Sequence, residues 1–190
     1  TAAAAAWMAM GSGAGGGFAG GIRGFQNSNG IILPHAMLIS NLDQALVSTT
    51  AEKLLTYDVV ALSNGIRVVD NSKIYVPCGG QYLVTFTLQV SNRSNAVQEF
   101  EVWAKDTGVN YPSSRTRFDV PARKTSSVWG HAVPAITGIF TVNDPTTNYL
   151  EIAWWASSTD VFLEYYEADT TPTRPEIPSV ILTINFVSAM

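Results

Sequence analysis

Few side chains in this 190-residue chain could do covalent chemistry. Its two histidines, His35 and His131, lie far apart and outside any HxH or HExxH spacing, so neither is placed by its neighbours to hold a metal. The one cysteine, Cys78, sits in Pro77-Cys78-Gly79-Gly80. A cysteine with a distant histidine has the parts of a nucleophile and its base, but the position reads more simply as a small residue at the start of a strand. A single cysteine also excludes an intrachain disulfide framework and a multi-cysteine metal site. Glu99 and Glu101, or Asp160 and Glu164, could form the carboxylate pair that glycoside hydrolysis needs; such pairs on strands more often serve solvation. The run Gly11-Ser12-Gly13-Ala14-Gly15-Gly16-Gly17 has no following Lys-Ser/Thr and no preceding strand, so it is not a phosphate loop. Asn143-Asp144-Pro145-Thr146-Thr147-Asn148 is rich in oxygen ligands but lacks the carboxylates of a dedicated Ca²⁺ loop. The expectation is a protein that is not an enzyme, with no cofactor and no metal.

Composition points to surfaces instead. Charged residues make up 14% of the chain, against about 25% in ordinary domains, while hydrophobic residues reach 46%. With 11 Lys and Arg against 15 Asp and Glu, there is no basic excess to neutralise phosphates, and Arg115, Arg117, Arg123 and Lys124 form only a local patch. Nucleic acid is therefore not an expected partner. The charge deficit is concentrated at the N-terminus, where Arg23 is the only charged side chain from Thr1 to Leu42. No basic segment precedes Ala2 to Ala6, as a signal peptide requires, and glycines interrupt the tract too often for a membrane span. Composition alone allows a flexible linker. The sharper reading is an arm that docks on a neighbouring subunit, with Trp7, Met8, Met10, Phe18 and Ile22 as anchors and glycines permitting close backbone approach. A start at Thr1 fits removal of an initiator Met, which would make this arm the true N-terminus; a single cysteine and no leader fit assembly in the cytosol.

From Ile31 the pattern becomes that of strands. The clearest is Gly80 to Val90, where Tyr82, Val84, Phe86, Leu88 and Val90 alternate with Gln81, Leu83, Thr85, Thr87 and Gln89. Val97 to Lys105 sets Phe100, Val102 and Ala104 opposite Glu99, Glu101 and Trp103. Further strands are predicted at Ala36–Val47, Glu52–Tyr57, Ile66–Val69, Ile74–Val76, Arg115–Val120, Thr125–Val133, Tyr149–Trp155, Val161–Tyr166 and Val180–Val187, with turns at Ser63-Asn64-Gly65, Asp70-Asn71-Ser72 and Asp106-Thr107-Gly108. No helical period is sustained after Gly24. Many short strands punctuated by turns predict an all-β sandwich or jelly roll.

The stretches Ser63 to Asn92, Val97 to Ser114, Leu150 to Glu164 and Pro172 to Val187 carry a resemblance. Its most telling pieces are Gly80-x-Tyr82-x-Val84-x-Phe86, Val102-Trp103-x-Lys105 with the Gly108 turn, and Arg174-Pro175-x-Ile177-Pro178-Ser179-Val180. Together, over roughly Met37 to Val187, they resemble the jelly-roll structural domains of tailed-bacteriophage virion proteins, which are similar to the globular heads of the complement and tumour necrosis factor superfamily. The resemblance implies an antiparallel jelly-roll sandwich, placed at 31–190; the docking arm, placed at 1–30, lies outside it and rests on the residues of the tract alone. It also implies first and last strands side by side, packing into a homotrimer, and no activity. Tyr82, Phe86, Trp103, Trp154, Trp155, Tyr165 and Tyr166 are the residues expected to fill the core or the trimer interface, since contiguous aromatics exceed the needs of one core.

The function expected on this basis is structural: a trimeric capsid decoration, cement or short head-fibre protein on the outer surface of a phage particle, assembled in the host cytoplasm. Residues 1–24 would contact the major capsid protein or other virion proteins, with no membrane partner. The alternative is a receptor- or glycan-binding module of a tail fibre or collar, holding a host surface glycan at loop tips such as Val109 to Ser114 or Asn143 to Asn148. A cellular signalling ligand is disfavoured by the lack of a Gly-X-Y stalk, because Gly11 to Gly24 keeps no period of three.

Overall fold

The computed structural model describes residues 25–27 and 30–189, and every regular element among them is a β-strand in an antiparallel sheet. A five-stranded sheet runs in the order β15 (Ala135–Val142), β9 (Gly80–Leu88), β20 (Val180–Ser188), β3 (His35–Ser40), β6 (Val59–Asn64). A larger sheet runs β12 (Val109–Asn110), β11 (Gln98–Asp106), β16 (Leu150–Ala156), β8 (Lys73–Tyr75), β7 (Arg67–Val69), with β13 (Thr116–Val120) also on β11 and β5 (Lys53–Leu54) also on β16. A four-stranded sheet at one end runs β14 (Gly130–Ala132), β10 (Val90–Asn92), β17 (Val161–Leu163), β4 (Gln44–Ala45). Two small hairpins, β1 (Phe25–Asn27) with β2 (Gly30–Ile32) and β18 (Asp169–Thr170) with β19 (Thr173–Arg174), stand apart.

The two large sheets each turn one face into a shared core. From the first come Leu38, Tyr82, Val84, Phe86, Leu88, Leu182 and Ile184; from the second come Phe100, Val102, Ala104, Ile152 and Trp154, all buried in one cluster. This follows from the two-residue period of a strand, which sends alternate side chains to opposite faces. In β9 the alternation is unbroken, as expected, and in β11 Phe100, Val102 and Ala104 are the buried set. Trp154 stacks on Phe100 with centroids 5.3 Å apart and planes 11° off parallel, and Phe118 meets the other ring at 5.0 Å.

Two predicted turns take left-handed backbone, which Asp70, Asn71 and Gly108 tolerate and the β-branched Thr107 does not favour. Asp70 and Asn71 take φ of 52° and 60° between β7 and β8, and Thr107 and Gly108 take 51° and 79° between β11 and β12. Two consecutive left-handed residues match the right-handed twist of a tight hairpin, and Asn, Asp and Gly tolerate them best.

Several boundaries differ from the sequence-based expectation. The single strand expected at Ala36–Val47 breaks after Ser40, and Gln44–Ala45 joins a different sheet. Gln44 explains the break. Its buried amide donates to Thr56 O at 2.9 Å and accepts from Thr56 N at 3.0 Å, standing in for a strand neighbour. The strand expected at Thr125–Val133 is confined to Gly130–Ala132, because Thr125 and Val128 close a turn on each other. Glu52–Tyr57 shrinks to Lys53–Leu54, and Val161–Tyr166 to Val161–Leu163. Strand β15 was not expected at all, although it carries eight residues. Pro134 before it and Gly138 within it read as strand breakers, but an edge strand tolerates both.

Candidate functional site

The sheets present three outward surfaces of different chemistry. On the larger sheet, Glu99 pairs with Arg117, Glu101 with Arg115 at 3.7 Å, and Lys105 with Glu52. The carboxylates weighed as a glycosidase pair are thus each held by an arginine across the strand, and two of the four cations in the predicted basic patch are neutralised. The Arg117–Glu99 pair is exposed and contributes little to stability, whereas the Glu101 and Lys105 side chains are mostly buried beside more open partners.

The five-stranded sheet is the opposite. Its register aligns Ile139, Leu83, Asn185, His35 and Asn64 in one row; Thr137, Thr85, Thr183, Met37 and Leu62 in a second; and Ala135, Thr87, Ile181, Ile39 and Val59 in a third. No Asp, Glu, Lys or Arg occurs among these fifteen outward positions. Ile139 and Leu62 are each more than half exposed. The central polar contacts are between threonines, such as Thr85 Oγ1 to Thr137 Oγ1 at 3.0 Å.

The four-stranded sheet carries a polar and aromatic cluster. Ser91 lies opposite both His131 and Phe162, so the three share a face, and Arg93, Trp129 and Glu164 follow two residues along their strands. The Ser91 hydroxyl donates to Glu164 Oε2, and Tyr166 donates to the same oxygen at 2.5 Å. With the serine hydrogen committed, His131 Nδ1 donates to Ser91 Oγ at 2.8 Å. A serine, a histidine and a glutamate therefore meet, but in the wrong order for hydrolysis. Catalysis needs the histidine between the serine and the acid, with the serine reachable; here the serine lies between the other two and is 1% exposed. Beside them the Arg93 guanidinium lies 3.9 Å from the Phe162 ring centroid and 4.5 Å from that of Trp129.

The Tyr166 hydroxyl is pushed up to about 12, first by burial and then by its bond to Glu164. In an unfolded chain a tyrosine titrates near 10. Below pH about 10 the folded state keeps the full benefit. Between about 10 and about 12 the unfolded chain releases a proton that the folded chain retains, so stability falls as pH rises. Burial pushes Tyr57 and Tyr82 in the same direction. Urea titrations between pH about 9 and about 11 should show this decline, and Tyr166→Phe should make it shallower, leaving the share of Tyr57 and Tyr82. An unchanged slope in the variant would assign the decline to other groups.

The anchors proposed in the arm, Trp7, Met8, Met10, Phe18 and Ile22, lie outside the described residues. Of the other singled-out residues, Tyr82, Phe86 and Trp154 are in the core. Trp103 is half-buried on the outer face of β11 and donates to Asn110 Oδ1 at 2.8 Å. Trp155 is half-buried and donates to Thr49 O at 2.7 Å, so part of its face of β16 is covered by the chain itself. Tyr165 and Tyr166 are half-buried at the edge of the polar cluster. Cys78 Sγ rests 3.2 Å from the Tyr82 hydroxyl and has no histidine beside it among the described residues. In the Asn143–Asn148 loop, Asp144 is occupied by Thr146 and Thr147 hydroxyls, which hold its carboxyl below the usual range. No group of three or more His, Cys, Asp or Glu able to hold a metal occurs among the described residues.

No protein-family model matches the chain, and no curated protein matches it.

Proposed function

We propose that this protein is a structural component of a tailed-phage particle, a homotrimer that decorates or cements the capsid or projects from it as a short fibre. The observation that carries the proposal is the outward face of the five-stranded sheet, with fifteen aligned positions and no ionisable Asp, Glu, Lys or Arg. A face meant for water would carry charges, as the larger sheet does; one meant for burial avoids them, because an unpaired charge loses several kcal/mol on desolvation. The strand orders of the two large sheets, with β3 and β20 side by side, support the jelly-roll arrangement that the resemblance implies. In that reading three copies bring this face inward, and residues 1–24 dock on neighbouring virion proteins. Three arms on one trimer gain affinity from effective concentration even where each contact is weak.

Thr183 lies on the central strand of the face, so Thr183→Arg tests the assembly. The wild-type chain should elute with a light-scattering mass three times its 20.4 kDa, and the variant as a folded monomer. A variant that stays trimeric would place the interface elsewhere. A chain lacking residues 1–24 should still form trimers but no longer join particles, and normal incorporation would remove the docking role of the arm.

A further inference from the structure

We propose that the outer face of the four-stranded sheet receives a small oxyanion, a carboxylate or phosphate group, through the Arg93 guanidinium. The site does not depend on the assembly proposed above. Arg93 is exposed, yet two rings, Phe162 at 3.9 Å and Trp129 at 4.5 Å, fix where its guanidinium sits. The rings themselves meet edge to face at 5.6 Å, and Phe162 is 2% exposed, so the platform is part of the packed structure. An arginine free to swing must lose side-chain entropy to bind an anion. One already held on aromatic surface has lost it, and its planar fork of N–H donors matches the two oxygens of a carboxylate or phosphate.

Those donors are not in use. Among the described residues no carboxylate lies within ion-pair distance of Arg93, and no acceptor takes its side-chain N–H groups. The nearest acidic residues do not pair with it. Glu164 Oε2 accepts from Ser91 and Tyr166, and Asp160, joined to Arg93 by a backbone bond of 3.0 Å, holds its carboxylate beyond ion-pair distance of the guanidinium. Two further cations without ion pairs among the described residues adjoin the site. Arg123 N bonds Ser94 O at 2.9 Å, directly after Arg93, and Lys124 follows it; both are exposed. Arg93, Arg123 and Lys124 outnumber the carboxylates of Asp160 and Glu164 here, a local positive excess in a chain of net charge −4 that attracts anions.

The test follows the Arg93 Nε–H and Trp129 indole N–H signals of the full chain by NMR at constant ionic strength, with inorganic phosphate, glucuronate and, as the neutral control, galactose. The expected result is a saturable shift with phosphate or glucuronate and none with galactose. A response to glucuronate alone assigns the site to sugar acids, a response to phosphate alone to phosphoryl groups, and a response to both to oxyanions in general. Arg93→Gln and Arg93→Lys should each weaken binding about tenfold or more, because lysine restores the charge but not the planar fork, whereas Lys124→Gln should cost no more than about threefold. Absence of saturation with either anion, equal shifts with galactose, or wild-type affinity in Arg93→Lys would each overturn the proposal.

Discussion

Trp154→Ala should destabilise the chain by about 3–5 kcal/mol, out of a total stability that for single domains is about 5–15 kcal/mol. Trp154 is fully buried at the middle of β16, paired with Val102 on one side and Lys53 on the other, and stacked on Phe100. Truncation removes the largest side chain of the core and leaves a cavity that a sheet pinned on both sides cannot close. Trp154→Phe should cost much less. It keeps a ring against Phe100 and removes the indole N–H, which is buried without an acceptor among the described residues. A buried donor without a partner costs about 1–3 kcal/mol, which offsets much of the lost volume. Chemical denaturation should show a large drop in midpoint for the alanine variant, a small one for phenylalanine, and similar slopes. Equal losses would mean that volume alone sets the cost.

Gly130→Ala should be comparably severe, for a reason that lies in the backbone. A Cβ at this position would stand 1.9 Å from the Pro121 carbonyl oxygen and 2.7 Å from its carbon. Neither atom belongs to a side chain that can turn away. Either the segment after β13 shifts, which strains the buried Asn92 amide that donates to Pro121 O at 3.0 Å and Ala96 O at 2.9 Å, or β14 leaves β10. Both outcomes cost about 3 kcal/mol or more. The second also unseats Trp129 from Arg93, so the Trp129 indole signal should move even under conditions where the variant stays folded. A loss below about 1 kcal/mol with an unmoved indole would show that the Pro121 segment yields freely.

What could be read from residues alone depended on whether the signal was local. Tyr82, Val84, Phe86 and Leu88 announce a buried face because the period of a strand is visible in seven residues. Asp70-Asn71 and Gly108 announce hairpins because Asp, Asn and Gly accept the left-handed backbone that a tight turn needs. The adjacent Trp154 and Trp155 were legible as aromatic surplus, but what covers the outer one was not. Its partner is the carbonyl of Thr49, more than a hundred positions earlier. Strand β15 escaped because Ile136, Phe140 and Val142 share it with Thr137, Gly138 and Thr141, a pattern that becomes a strand only with β9 alongside. The arginine platform was beyond reach for the same reason. Arg93, Trp129, Phe162 and Glu164 come from three strands and the turns beside them, and no window of sequence contains more than two of them. The predicted basic patch caught Arg123 and Lys124 but paired them with Arg115 and Arg117, which the larger sheet neutralises.

The position of β20 at the centre of its sheet bears on how the chain comes to be folded at all. This strand lies between β9 and β3, and neither pairs with the other. His35 meets Asn185 across a loop of about 150 residues, so the pairing is among the most non-local the chain can make, and non-local pairings fold slowly. During synthesis β3 and β9 must wait, each with an open hydrogen-bonding edge, until Val180–Ser188 has left the ribosome. Completion of this sheet therefore depends on β20, and until it is in place the waiting chain is open to mispairing with its own copies.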